Sequence, residues 1–413
     1  MTKKQSIRHL LQNIYGYAFF NTFTLLTPVY AIFMQSRGVS DSGLSWIIML
    51  YSLAILITQI PVTKITNHIG QKYAIVTGQT LKTITFALWL LWPSYAGFAI
   101  GMFLWGIQYA FSETTMNTLL YDELAARGGR HTYTRALGRY YTARTLGVAL
   151  SAFGSLLLAY GYGIITLLSI ASLALSVMCV LNIQVLSPHD NKTNKRTHFL
   201  GLFQSGWRIG NTVPCIMNLM LLALMVANFI YLDDYFSPIA VAIGIPTKYV
   251  GIMPLSLLGA SILGQRLAYK FAHIQAGLIY TAICATGGLF IVFSYIYSPM
   301  AIFILGLAYF MGGILNTLLY SRFQDSIPSR YRSILLSFYS IGSNTVYIGI
   351  CGIMGLGGIL GDWRYAILMM GAVLIWIGLW GALFVRQVCN SPTDNICGNG
   401  TCTAPQIGPN SVM

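Results

Sequence analysis

The amino-acid sequence predicts an all-α integral membrane protein, with twelve transmembrane helices arranged as two pseudo-symmetric six-helix bundles. Three observations point there. Apolar residues fall in long blocks from Tyr15 to Val385, charged residues make up only 8% of 413, and a five-residue segment recurs at corresponding places in the two halves. With 56% hydrophobic residues and a mean hydropathy of +0.66, a chain of this length carries more apolar surface than a water-soluble core hides. Lipid is therefore the solvent for much of it.

A helix needs about 20 apolar residues to cross the hydrocarbon layer, and it satisfies its own backbone polar groups in doing so. Twelve blocks reach that length: residues 14–34, 43–62, 73–93, 96–120, 137–159, 162–186, 214–236, 249–269, 274–297, 300–320, 332–358 and 364–386. The first follows Lys3, Lys4 and Arg8, which resemble the basic start of a secretory signal. It is too long for one, holds Asn21, and is followed by no small-residue cleavage site, so it is expected to stay as the first helix. Polar or charged residues intrude on the fifth, seventh and eleventh blocks.

The longest internal polar stretch, 187–211, contains His189, Asp190, Lys192, Lys195 and Arg196 and divides the helices six and six. The expected domains are thus a bundle over 1–186, a cytoplasmic central loop over 187–211, a second bundle over 212–386 and a flexible cytoplasmic tail over 387–413. The tail is rich in Asn, Gly, Pro and Thr, a composition that favours disorder.

The net charge of +14 is an orientation signal and not a mark of nucleic-acid binding. With the N-terminus in the cytoplasm, all but four of the 24 Lys and Arg residues fall on the cytoplasmic side or at its boundary. Arg37, Lys248 and Arg364 fall outside, and Lys82 falls within a helix. Both termini are therefore expected in the cytoplasm. Cys179, Cys215, Cys284 and Cys351 lie in helices as small apolar residues, and the spacing of Cys389, Cys397 and Cys402 in the tail matches no common metal site. No cofactor and no metal are expected.

The repeat is Asn-Thr-Leu-Leu-Tyr, at 117–121 near the end of the fourth block and at 316–320 near the end of the tenth. Each copy is followed by an acidic residue (Asp122, Asp325), a basic loop, and an Arg near the start of the next helix (Arg139, Arg332). Gly161-Tyr162 and Gly361-Asp362 mark matching turns further on. The chain reads as a tandem duplication of a six-helix unit.

Parallel six-helix halves are the architecture of the major facilitator fold, and the chain resembles that superfamily up to about Arg386. Thr63 to Lys72 resembles the superfamily's cytoplasmic signature Gly-x-x-x-Asp-Arg-x-Gly-Arg-Arg/Lys. Gly70 and Lys72 match it, while Thr63, Asn67, His68 and Gln71 depart from it. Gln324 to Ser333 looks typical of the superfamily, and Leu120 to Leu124 is similar to a segment of bacterial efflux-like members. Two features usual in drug/proton antiporters are absent: a proline within Gly147 to Gly161 and an Arg in the fourth helix.

The resemblance implies a secondary active transporter moving a small organic molecule by alternating access. It also implies a bacterial inner membrane, proton coupling, the lipid bilayer as surroundings, and a cavity lined by helices one, four, seven and ten. A monomer is expected. Export is the favoured direction, with import or facilitated diffusion of a metabolite or siderophore as the alternative. Gly70, Lys72, Asp122, Arg139, Asp325 and Arg332 are the expected gating residues, since opposite charges at adjacent helix ends bias two nearly equal states; the plainer reading is that they mark the membrane boundary.

Ionisable groups at membrane depth are costly, so they are the first site candidates. Glu113 stands in the fourth helix, Lys82 in the third and Arg144 in the fifth. A carboxylate in a cavity holds its proton more tightly and releases it on a change of access, which a proton-coupled carrier requires. The structural alternative for Glu113 is an ion pair with Lys82 or Arg144. Asp233 and Asp234 either cap the outer end of the seventh helix or draw cations to a cavity mouth. Asn21, Gln108, Asn117, Asn228, Asn316 and Tyr320 are polar candidates on the presumed lining helices, with Tyr15, Tyr109 and Tyr231 beside them. Gly147, Gly154 and Gly161, seven apart, favour close helix packing. No nucleotide-binding loop is present, which argues against an ATP-driven pump within the chain, and the six histidines fall in loops or termini, which argues against a membrane-embedded enzyme. A non-transporting receptor is the other class considered; it would call for a long structured tail.

Overall fold

A computed structural model describes residues 3–186, 214–230, 232–327 and 332–385. The central loop 187–211, the tail 387–413 with its three cysteines, Tyr231 and the side chain of Arg332 lie outside what is described.

Every regular element among the described residues is helical. In the first half α1 (Lys3–Thr22), a 3-10 turn (Thr27–Val29) and α2 (Tyr30–Ser36) make one interrupted span. They are followed by α3 (Asp41–Ile69), α4 (Gln71–Leu91), α5 (Tyr95–Ala126), α6 (Tyr133–Ser151), which runs on as a 3-10 segment (Ala152–Tyr160), and α7 (Tyr162–Leu181). The second half repeats the pattern. α8 (Pro214–Phe229), a 3-10 turn (Asp233–Tyr235) and α9 (Phe236–Ala242) form an interrupted span, followed by α10 (Ile252–Leu267), α11 (Ala276–Ile296), α12 (Ile302–Ser326), α13 (Arg332–Ile359) and α14 (Trp363–Trp380). Eleven of these spans are long and apolar enough to cross a bilayer, and α5, with 32 residues, completes the twelve.

Helix starts follow local chemistry. The Ser40 and Ser94 hydroxyls accept from the N–H groups of Gly43 and Gly97, and the Asp362 carboxylate accepts from the N–H of Arg364, satisfying donors that the first turn leaves orphaned. Gly70 ends α3 and precedes α4 at φ +88°, a conformation that a side chain rarely adopts. Several helices overrun their apolar blocks: α3 continues past Pro61 to Ile69 and α1 begins eleven residues before Ile14, at Lys3. Backbone hydrogen bonding does not stop where the lipid does.

Packing shows the duplication. α1 packs on α6 and α7, as α8 packs on α13 and α14; α3 packs on α5 as α10 does on α12; α4 packs on α7 as α11 does on α14. Between the halves, contacts gather at the end that carries Arg37, Lys248 and Arg364. There α3 meets α13, with Gly355 against Ser45 and Gly358 against Ser42, and the segment after α6 meets Thr247–Tyr249. A Cβ on Gly251 would lie 2.0 Å from the Ala152 carbonyl oxygen, so only glycine allows this approach. Large apolar side chains such as Leu91, Leu167, Phe303 and Trp376 point outward, as a lipid-facing surface requires.

Candidate functional site

Two helix interruptions stand at matching places in the two halves. In the first half, Pro28 stands at the start of the 3-10 turn, and the chain between Thr22 and Thr27 leaves its helix. The freed N–H of Leu26 donates to the Ser169 hydroxyl of α7 at 3.0 Å. In the second half, α8 stops at Phe229 and the N–H of Leu232 donates to the Tyr309 hydroxyl of α12 at 2.7 Å. Backbone groups freed at membrane depth must find such partners. Gly154 lets α6's continuation reach the first break: a Cβ there would stand 2.0 Å from the Leu25 carbonyl oxygen.

Lys82 belongs to this construction. The residue is 6% exposed, and its ammonium donates to the Asn21 carbonyl oxygen (2.8 Å) and side-chain oxygen (3.0 Å) and lies 5.4 Å from the Trp105 ring. It therefore meets the negative end of α1 where the helix stops, drawing Asn21 into the same contact.

A cavity of about 420 Å³ lies between the halves, beneath the contacts at the Arg364 end. From the first half α3 contributes Tyr51 and Ser52 and α5 contributes Tyr109. From the second, the interrupted span brings Asn228, Asp233 and Asp234, and α13 brings Ser340, Ser343, Asn344 and two tyrosines, 339 and 347. Asn228 and Ser343 hydrogen-bond reciprocally, at 3.0 and 3.1 Å. The Asp234 carboxylate accepts from the Tyr30 hydroxyl of the other half at 2.7 Å and from the hydroxyl of Tyr347. Asp233 is exposed to the cavity. The expectation that helices one, four, seven and ten form the wall is met by four and seven; the second and eleventh supply the remaining lining of this cavity.

One turn from Tyr109 along α5, Glu113 pairs with Arg144 at 2.5 Å, each side chain about a third exposed (30% and 33%). This is one of the two ion pairs considered from sequence. The Thr22 hydroxyl shares its proton between the carbonyl oxygens of Ala18 and Arg144, each at 2.9 Å, joining the pair's helix to the end of α1.

The other candidates are dispersed. Gln108 is buried, with its backbone carbonyl toward α4. The Asn117 side-chain oxygen is buried without a hydrogen-bond partner, and Asn316 is half-buried on α12. Tyr320 stands behind the wall, its ring 5.5 Å from that of Tyr339 and its hydroxyl accepting from Gln324 at 2.9 Å. Of the gating candidates, Lys72 donates to the carbonyl oxygens of Leu181 and Ile183 (2.7 and 2.8 Å), and Asp122 accepts from Gln71 at 2.8 Å, all within the first half. Arg139 and Asp325 are exposed, the latter accepting from Ser321 at 3.5 Å.

The sequence reading missed Tyr51 and the α13 wall. The signal was present: Ser340, Ser343, Asn344 and Tyr347 recur at helical spacing in an apolar block, a polar stripe on one face.

The sequence pattern of the Major Facilitator Superfamily matches residues 14–350. No curated relative matches the sequence. Among solved structures, the chain superposes on the nucleoside transporter NupG with a TM-score of 0.70 at 13% identity, covering 95% of this chain and 100% of that one. It also superposes on a D-xylose–proton symporter (0.69, 12%, covering 94% and 99%). A third match is a bacterial homologue of the human lysosomal transporter Spinster, in an inward-facing, unoccupied conformation (0.66, 15%, covering 94% and 96%). At these identities the likeness is one of fold. The family match over most of the chain, together with twelve helices in two equivalent halves, makes this protein a membrane transporter that belongs to the Major Facilitator Superfamily.

Proposed function

We propose that the protein carries a small organic molecule across a bacterial inner membrane by alternating access, coupled to protons through Glu113. The observation that carries this reading is the polar cavity between the halves, which takes Asp233 and Asp234 from the second helix break and is sealed on one side by contacts between the halves. Breaks at matching places in two repeats mark a carrier's binding site, and rocking of one half against the other opens it to each side in turn. The basic loops favour the cytoplasm for the Lys72 end and both termini, and with that orientation the described state is closed to the outside. The bundles 1–186 and 212–386 are the rocking units, with 187–211 as their connection.

Glu113 supports proton coupling through its position. It is one turn from the cavity wall, part-exposed, and paired with a single arginine. Protonation removes the charge that holds Arg144, and Arg144 sits on the helix tied to the end of α1. The proton's arrival is thereby felt at the first break. The likeness of Leu120 to Leu124 to efflux-like members favours export.

The test is proton movement in proteoliposomes holding wild type or Glu113→Gln, challenged with small organic cations, anions and neutral metabolites. Solute-dependent proton flux that disappears in the variant is the expected result. Flux that survives would reduce Glu113 to a structural partner of Arg144.

A further inference from the structure

The charges around the cavity do not balance. Glu113 has Arg144, and Asp234 has two tyrosine hydroxyls. Asp233 is exposed to the cavity, pairs with no described Lys or Arg, and stands beside a second carboxylate. No Lys, Arg or His is among the residues that line the cavity. We propose that the transported solute is an organic cation, a protonated amine or quaternary ammonium, with its charged head seated against Asp233. This rests on the carrier reading above and names its substrate class.

Three features of the site support this assignment. An uncompensated carboxylate at membrane depth is costly, and a bound cation offsets that cost where a neutral or anionic solute does not. A cleft with one sign of charge and low-dielectric walls concentrates counter-charged solutes and repels anions. The walls are also aromatic on both sides: Tyr51 and Tyr109 meet edge to face at 6.0 Å on the first half, with Tyr339 and Tyr347 across from them. Tyrosine faces attract ammonium groups, most strongly when these are stripped of water. Asn228 and Ser343 spend their donors on the Leu224 carbonyl and on each other, so they leave only acceptor oxygens for the solute. The second helix break supplies Asp233 and Asp234 to the cavity, and Tyr30, which follows the 3-10 turn of the first interruption, reaches across to Asp234.

The experiment uses the purified full-length protein and three molecules of one shape and different charge: phenethylammonium, phenethyl alcohol and phenylacetate. Choline, agmatine and spermidine extend the cation set. Thermal unfolding and isothermal titration are expected to show binding of at least one cation and none of the alcohol or phenylacetate. Asp233→Asn should weaken that binding by about tenfold or more, the loss of one charge-assisted contact in a desolvated site. Asp233→Glu should retain most of it, which separates lost charge from lost fold. Binding of none of the four cations, binding of the alcohol as tightly as the amine, or indifference to Asp233→Asn would each overturn the proposal. Counterflow of the bound solute separates this from the carrier reading. Exchange of an anion or neutral solute that ignores Asp233→Asn keeps the carrier and removes the cation seat. Cation binding without exchange keeps the seat and removes the carrier.

Discussion

At the scale of single residues, the costliest feature is a buried ammonium with no carboxylate partner. Lys82 instead meets both oxygens of Asn21 at the end of α1. Lys82→Met is therefore expected to leave those oxygens unsatisfied and to lower stability by about 1–3 kcal/mol, read from thermal unfolding in detergent. A role in substrate binding would instead show as lost affinity in a protein of unchanged stability. The Asn228–Ser343 pair makes a smaller claim. A double-alanine cycle should return a coupling of about 0.6 kcal/mol, the usual worth of one interhelical hydrogen bond in a membrane. Sequence pointed to Lys82, Glu113 and Arg144 because charge at membrane depth stands out wherever it occurs. It left open which of the two cations holds Glu113, since that depends on the rotation of three helices about their axes. Asp233 and Asp234 read first as an outer cap and second as a cation site, and the structure puts both on the cavity.

At the scale of elements, both interrupted spans depend on neighbours that tolerate a bare backbone. Gly154 permits the approach of α6's continuation to Leu25, and any side chain there must push the two apart. Gly154→Val is expected to cost several kcal/mol or prevent accumulation of folded protein, at the upper end of about 1–3 kcal/mol found for overpacking, because the obstacle is backbone. Size-exclusion profiles and thermal unfolding would show it; a stable, monodisperse variant would mean the first break lies elsewhere. The breaks were not foreseen, although Pro28 lies in the first block and Pro238 lies two residues beyond the seventh. A proline in an apolar segment fits a kink as well as a break, and which occurs depends on whether Ser169 and Tyr309 stand ready to accept the freed N–H groups.

At the scale of the whole molecule, the halves meet where a Cβ on Gly355 would lie 3.4 Å from the Ser45 Cβ, and where Gly251 meets the Ala152 carbonyl. A carrier that alternates must part these surfaces in each cycle. Joining them with cysteines in a Ser45→Cys, Gly355→Cys double variant is expected to abolish transport on oxidation and restore it on reduction; transport unaffected by a formed crosslink would rule out opening at this end. Gly251→Val should act oppositely by holding the surfaces apart, raising the rate at which a cysteine at Ser52 on the cavity wall is modified from the Arg364 side.

By itself, the sequence determined the helical class, the twelve spans, the duplication and the family resemblance. These follow from composition, block length and repetition along the chain, which need no knowledge of what lies beside what. The domain ranges it drew remain the proposed rocking units, their connecting loop and tail lying outside the described residues. Only the tertiary structure decided that Arg144 holds Glu113, that Lys82 closes a broken helix, and that α3 and α13 help wall the cavity. Each depends on which way a helix face turns. In lipid an apolar face is equally at home against a neighbour or against the membrane, so the hydrophobic pattern that orients helices in water carries little of that information here.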